Sequence, residues 1–475
     1  MKSEVSKLSQ RMEAMIAGLP ESGLFGEVGM GVGVSKVPFR VSPQPIEISC
    51  DVADKFRSLG NHLLRFYKAS NRLYLDSVRG HQPGWISELL DRGKSDSVRE
   101  LGRLNRTKSN LPFVIRPDLM LTESDNLVAT ELDSVPGGIG LLDALSSGYK
   151  SMGYSLLGAA DGVVEAFGRA LIDDCRLDVP SVAIVVSDES ESYRSEMQLV
   201  SSRLEKIGVS ARLVHPRDLD YQLGDLVTNT NGEVQRIDVL YRFFELHDLK
   251  NIPNVDFVFH AMRHRRVHVS PPPKAQLEEK LLLALFHHPE LTDYWVHEIG
   301  DQSHSVLSNI IPRTWVLDPT ELPPFAAISP PLITAGKSIR RWSDLSNITQ
   351  KQRRMVIKPS GFSELSWGAR GVTIGHDVNQ DVWASSLQEA LQAFSTTPYV
   401  LQPYEQSRRL AVEYFDFDSN EVKVFDSRIR YSPYYFVEDG EAKLAGVLAT
   451  ACPASSKILH GMSTAVMSPV MVGND

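Results

Sequence analysis

The sequence predicts a mixed protein, α/β with α+β character, built from several units rather than one core. Three observations carry this. The first 110 or so residues are mainly helical in pattern, a βαβ pattern starts at "PSVAIVVSD", and the last third is rich in strands. At 475 residues the chain is long enough for two or three domains. The expected boundaries are 1–110, 111–174, 175–270 and 271–475.

The elements follow in order. The opening "GEVGMGVGVSKVPFR" is glycine-rich but lacks the GxGxxG order, so it reads as a flexible entry rather than a dinucleotide loop. Two opposed strands at 113–122 and 127–134 come next, then an apolar helix at "GLLDALSSGY". After "PSVAIVVSD", a helix carries Met197, Val200, Leu204 and Ile207 at three-to-four spacing and stops at Gly208. "SARLVHP" and "IDVLYRFF" continue a parallel, Rossmann-like sheet. The prolines of "SPPPKAQLEEKLLLALFHHPEL" end that unit and a new helix begins.

Composition narrows the function classes. Net charge is −9 and no basic block runs longer than "HRR", so neither nucleic acid nor an anionic membrane is an expected partner. No apolar signal core or membrane span is visible, and Cys50, Cys175 and Cys452 form no metal or disulfide spacing. A reducing cytoplasm is the expected location. "HAMRHRRVH" spaces three histidines by four, but its arginines would repel a cation, and a strand entry with surface charge fits better.

The hairpin "FVIRPDLMLTESDNLVATELDSVPGG" is unusual. Burying Phe113, Ile115, Leu119 and Leu121 with Val128 and Leu132 sets Leu121 across from Val128 and Leu119 across from Thr130. Asp118 then faces Glu131, and Arg116 faces Asp133. Like charges across a strand pair are destabilising, so the carboxylates either share a cation or form a solvated face paired with Arg116. Oxygen ligands suit Mg²⁺ or Mn²⁺, and an adjacent Arg suits phosphate. Pro117 restricts its strand to an edge or a non-donating position.

"VIKPSGFSELSWGARGV" delivers Lys358 from a β-branched strand into a loop containing Ser360, Gly361, Gly368 and Gly371. Such a loop either brings backbone N–H groups to phosphate oxygens or is a plain flexible tip; no Walker GK[ST] is present. "YVLQPYEQ" is a strand whose polar end, Gln402 to Glu405, could meet an adenine edge, or an ordinary core strand. Arg428 and Arg430 form a basic pair able to hold a carboxylate or phosphate, or a solvated pair of strand charges.

Together these parts resemble the ATP-grasp superfamily, whose members clamp ATP between two α+β subdomains and join a carboxylate to an amine or thiol through an acyl phosphate. The carboxylates precede the glycine-rich loop, which looks like the circularly permuted branch that includes glutathionylspermidine synthase. "RPDLMLTESDNLVATELDSVPGG" is similar to that branch's Arg-x-Asp and Glu-x-Asn signature, with Asp133 in place of Asn. "VSPPPKAQLEEKLLLALFHHPEL" is similar to its linker into a lysine-bearing helix. The resemblance covers 110–150 and 270–450. It implies Mg²⁺ held by Asp118, Glu131 and Asp133, and a phosphoryl group steadied by Arg116. ATP phosphates would lie on Lys358 under the Ser360–Gly371 loop, with Lys280 as a second lysine and Gln402 and Tyr404 at the adenine hinge. Arg430 would hold substrate carboxylate or product phosphate. The implied activity is an ADP-forming carboxylate–amine ligase acting on small molecules. A nucleotide-binding scaffold and a phosphotransferase are the rivals, and no spermidine substrate is implied.

Overall fold

The computed structural model describes residues 2–17, 19, 39–133, 135–230, 232–321, 328–334, 336–461 and 463–473. Most of the glycine-rich opening, 26–38, lies outside the described residues. Among the described residues, helices and five sheets alternate along the chain, a mixed α/β architecture. No helix among the described residues is long and apolar enough to cross a membrane.

Helix α1 (Cys50–Val78) starts where the Ser49 hydroxyl accepts from the Val52 amide at 3.4 Å, an N-cap. Its Phe56, Leu59, Leu63 and Phe66 recur at helical spacing and are buried, so one stripe faces the main core. The predicted hairpin forms as β1 (Val114–Leu121) and β2 (Leu127–Asp133). Both belong to a seven-stranded sheet that runs Ile46–Ile48, Val466–Val472, Glu441–Pro453, then the long Glu421–Glu438, then β1 and β2. Arg409–Asp416 pairs with the start of Glu421–Glu438.

The four-stranded sheet of the middle region is parallel, in the order His268–Ser270, β4 (Val239–Phe243), β3 (Val182–Val186), Ala211–Val214. Helix Arg194–Lys206 connects β3 to Ala211–Val214, as the apolar spacing requires. "HAMRHRRVH" holds the last turn of helix Val255–Arg263 and then leads into strand His268–Ser270, the strand entry expected for it. A third sheet holds β5 (Met355–Pro359) antiparallel to β6 (Tyr399–Pro403), flanked by Trp315–Val316 and Thr373–Ile374. The short helix α2 (Leu281–Phe286) is buried on all six residues and packs in the main core.

The hairpin register departs from simple alternation. Arg116 faces Asp133 and Asp118 faces Glu131, but Leu119 then faces Ala129, Met120 faces Val128 and Leu121 faces Leu127. Thr130 is the extra residue of a β-bulge, which corrects the expected Leu119–Thr130 and Leu121–Val128 pairs. The bulge reverses which residues of β2 face the core. Leu127 and Ala129 lie in it, and Val128 instead lines a cavity on the other face. Pro117 sits where the ladder to Glu421–Glu438 is interrupted, between the pairs Tyr431–Leu119 and Tyr435–Ile115. Its missing N–H therefore costs no bond.

Helix Ile139–Ser151 begins after Gly138, at φ 97°, and its first amides are satisfied from another element. The buried Glu196 carboxylate accepts from the Gly138 amide at 2.7 Å and the Gly140 amide at 3.0 Å. Burial outweighs these bonds and pushes the Glu196 carboxyl from 4.5 up to about 7. The folded chain thus holds this proton more tightly than the unfolded one. Its stability should fall as pH rises from about 4.5 through about 7, by on the order of 3 kcal/mol, and level off above. Urea unfolding at pH 5 and pH 8 checks this: Glu196→Gln should flatten the difference between the two pH values.

Candidate functional site

The site is assembled by two sheets, the N-terminus of α2 and the segments beyond the ends of the parallel strands. Together they supply polar side chains to one cavity of about 390 Å³, within the range of small-molecule pockets. From the hairpin come Arg116, Asp118, Glu131 and Asp133; from β5, Lys358; from the N-cap of α2, Lys280; from Glu421–Glu438, Arg430. Gly361, Gln402 and Tyr404 also line it.

Charges in the hairpin are matched pairwise. Arg116 donates to an Asp133 oxygen and to the Gly137 carbonyl at 3.2 Å, and its Nε stands 3.2 Å from Asp118 Oδ1. Asp118 also accepts from Ser432 Oγ at 2.8 Å and lies 3.1 Å from Arg430 Nη1. Desolvation alone would raise the Asp118 carboxyl, but Arg116, Arg430 and the Ser432 hydroxyl together hold it below the usual carboxylate range. Asp133 goes the other way. Burial, helped by repulsion from Glu131 and Asp118, outweighs Arg116 and raises it. Neighbouring carboxyls driven apart in this way are common at functional sites.

The two lysines reach the hairpin at adjacent residues. Lys280 Nζ is 2.5 Å from Glu131 Oε1, and Lys358 Nζ donates to the Thr130 carbonyl at 3.1 Å. The bulge leaves that carbonyl outside the strand register, and so available to Lys358. Burial, and then the charge of Lys280, bring the Lys358 ammonium down to about 8.

Among the described residues, no three carboxylate, imidazole or thiol groups converge as a metal cage. Asp118, Glu131 and Asp133 share the cavity wall, but each is turned to a side-chain cation. Glu131 is the most open of them, with 38% of its side chain exposed.

Several sequence-selected residues lie off the wall or, on it, are engaged by other parts of the chain. Ser360 is buried behind the wall: its hydroxyl donates to Glu279 and accepts from the Leu281 amide at 3.0 Å, so it offers nothing to a ligand. Gly371 is not part of the wall, and a Cβ there would meet the Pro359 ring at 2.8 Å. Gly368 lies in a 3-10 helix, Glu364–Ala369, so the loop is folded rather than open. Gly361 is needed for close approach, since a Cβ would come 2.0 Å from the Glu278 carbonyl. Gln402 is buried, and its amide donates to Thr314 Oγ1 at 3.0 Å. Tyr404 packs its ring 4.4 Å from that of His376. Arg428 is buried on the carbonyls of Ser407 and Ala454, away from the cavity, which removes it from the expected basic pair.

Sequence reasoning missed the second rank of the site. Glu278 pairs with the fully buried Arg242, and Glu279 pairs with Lys94, both ends 2% exposed. Glu245 and His247 line the cavity beyond the end of β4. Burial, then the charge of Glu278, raise the Glu245 carboxyl to about 8. The signal was present as charges inside "KAQLEEK", which a linker does not need.

No family model and no curated protein matches the chain. Solved structures do. A glutathione synthetase-like effector from Globodera pallida, in its apo form, aligns over 98% of this chain and 96% of its own, with 12% identity and TM-score 0.58. This chain shares that fold. A protein assigned as a γ-glutamylcysteine synthetase from Methylobacillus flagellatus aligns over 85% and 86%, at 12% identity and TM-score 0.40. D-alanyl-alanine synthetase A from Vibrio cholerae aligns over 58% and 85%, at 9% identity and TM-score 0.27.

Breaking the Lys94–Glu279 pair leaves a charge buried without its partner. Lys94→Met should cost about 3–5 kcal/mol in urea unfolding, and adding Glu279→Leu should recover most of the loss. A double variant as unstable as the sum of the singles would contradict the pairing.

Proposed function

We propose that this chain is an ATP-dependent, ADP-forming carboxylate–amine ligase of the circularly permuted ATP-grasp kind, in the branch similar to glutathionylspermidine synthase. One observation carries the reading. Two lysines and two arginines, from four separate elements, meet three hairpin carboxylates in one cavity. The fold shared with a glutathione synthetase-like effector supports it. So does the topology, since β1, early in the chain, pairs with Glu421–Glu438 near its end. A reducing cytoplasm and small-molecule substrates belong to the same proposal.

The chemistry of these side chains suits a magnesium nucleotide, although the carboxylates form no cage and each is turned to a side-chain cation. Three carboxylates give hard oxygen donors, and the buried Nε of Arg430 has no hydrogen-bond partner. Asp118, Glu131 and Asp133 would hold Mg²⁺, which when bound neutralises phosphate charge. Lys358 and Lys280 would exchange Thr130 and Glu131 for phosphate oxygens. Gly361 and its neighbours Phe362 and Ser366 would cover them, with Tyr404 near the base. Arg116 and Arg430 would orient the substrate carboxylate and the transferring group.

In the reaction, a carboxylate oxygen attacks the γ-phosphorus, the bond to the β-phosphate oxygen breaks, and ADP leaves. An amine nitrogen then attacks the acyl carbon. The C–O bond to phosphate breaks, the nitrogen loses a proton, and an amide and phosphate result. Closing the cavity keeps water from the acyl phosphate.

Incubation with Mg·ATP and panels of acids and amines should release ADP, and hydroxylamine should trap the acyl group. A phosphotransferase would release ADP without amine and yield no hydroxamate; a scaffold would release none. Glu131→Ala should abolish turnover with folding intact. Lys358→Met should weaken ATP binding by roughly 10- to 100-fold in calorimetry. Wild-type turnover in Glu131→Ala would overturn the assignment.

A further inference from the structure

Three consecutive residues of the N-terminal helical region, Arg92 to Lys94, dock where β5 finishes and β6 begins. They lie in the turn between helices Gly84–Leu90 and Asp96–Arg103. Asp91 anchors that turn from behind, accepting from the Tyr74 hydroxyl at 2.8 Å and from Arg103. Arg92 lays its guanidinium 4.0 Å from the centre of the Phe394 ring. Gly93, at φ 71°, comes so close that a Cβ would meet the Thr396 carbonyl oxygen at 1.8 Å. Lys94 goes deepest. Its buried ammonium donates to the Leu90 carbonyl at 2.7 Å and to Glu279, and it stands over the Phe362 ring at 5.3 Å.

These contacts converge on the stretch that follows Lys358. Ser360 donates its hydroxyl to the same Glu279 and its amide to the Pro398 carbonyl at 2.9 Å. Phe362 and Ser366 line the cavity, whereas Lys94 stands behind its wall. We propose that Lys94 is a positioning residue: held between Glu279 and the Phe362 ring, it keeps segment 360–366 over the cavity without touching what binds there. The inference rests on the ligase reading only for the identity of what is covered.

Limited trypsin digestion of the full chain without nucleotide reads the segment directly, because Arg370, just beyond it, is exposed. Lys94→Met/Glu279→Gln removes both charges and keeps an acceptor for Ser360. Nicking at Arg370, identified by fragment mass, should run about fivefold faster in that variant, and about fivefold faster in Phe362→Leu. Lys94→Arg, which keeps the cation, should stay within about twofold of wild type. Combining Phe362→Leu with the first two substitutions should add nothing further, since both act through one contact; a general loosening of the fold would multiply the rates instead. Mg·ATP affinity should follow the same pattern in calorimetry. Phe362→Leu also serves if the charge-free variant fails to fold. Wild-type nicking in Phe362→Leu, or multiplied rates in the triple variant, would overturn the proposal. Faster, non-additive nicking in a chain that binds no Mg·ATP would count against the ligase reading alone and leave the role of Lys94 standing.

Discussion

The structure depends on one short ionic segment, Lys274 to Lys280, whose side chains reach in five directions. Lys274 donates to Asn71 on α1 and to the Lys108 carbonyl, both at 2.9 Å. Gln276 reaches the Gly102 carbonyl at 3.4 Å, Glu278 takes Arg242 from β4, Glu279 takes Lys94 and Ser360, and Lys280 takes Glu131 from β2. Such buried charges add little net stability, because desolvation cancels most of their attraction. What they impose is geometry: each must find its partner, so each surrounding element has one acceptable position. Lys274 is buried, and this burial drives its ammonium down to about 7.

The cavity inherits its precision from that constraint. Ser360 ties the segment after β5 to the start of α2 twice, through its hydroxyl and through its carbonyl, which accepts from the Lys280 amide at 3.2 Å. Lys358 and Lys280 are thereby fixed relative to each other before either touches the hairpin. On the opposite wall, the bulge at Thr130 and the ladder gap at Pro117 do complementary work. One exposes a carbonyl for Lys358; the other makes room for Ser432 to reach Asp118. Both are irregularities in otherwise regular strands, and such sites often carry function.

Much of this was legible in the sequence. Alternation in the hairpin is enough to place Arg116 opposite Asp133 and Asp118 opposite Glu131, and the βαβ spacing is enough for the parallel sheet. Alternation cannot show a bulge, because an inserted residue leaves no compositional mark at Thr130. Ser360 and the glycines read as a phosphate loop from composition, yet Gly361 and Gly371 are small because neighbouring chain comes close. Which partners Glu279 and Lys94 would find was out of reach for a different reason: the two lie far apart along the chain. A linker reading of "SPPPKAQLEEK" accounted for its prolines and helix start but not for its charges.

The central claim is that the hairpin carboxylates and the two lysines form a single magnesium nucleotide site. A crystal structure with Mn²⁺ and a non-hydrolysable ATP analogue tests it most directly, using the anomalous signal of manganese. The account predicts manganese at about 2.1 Å from a Glu131 oxygen, with phosphate oxygens on Lys358 and Lys280 in place of Thr130 and Glu131. Triphosphate bound elsewhere, with both lysines still on the hairpin, would contradict it.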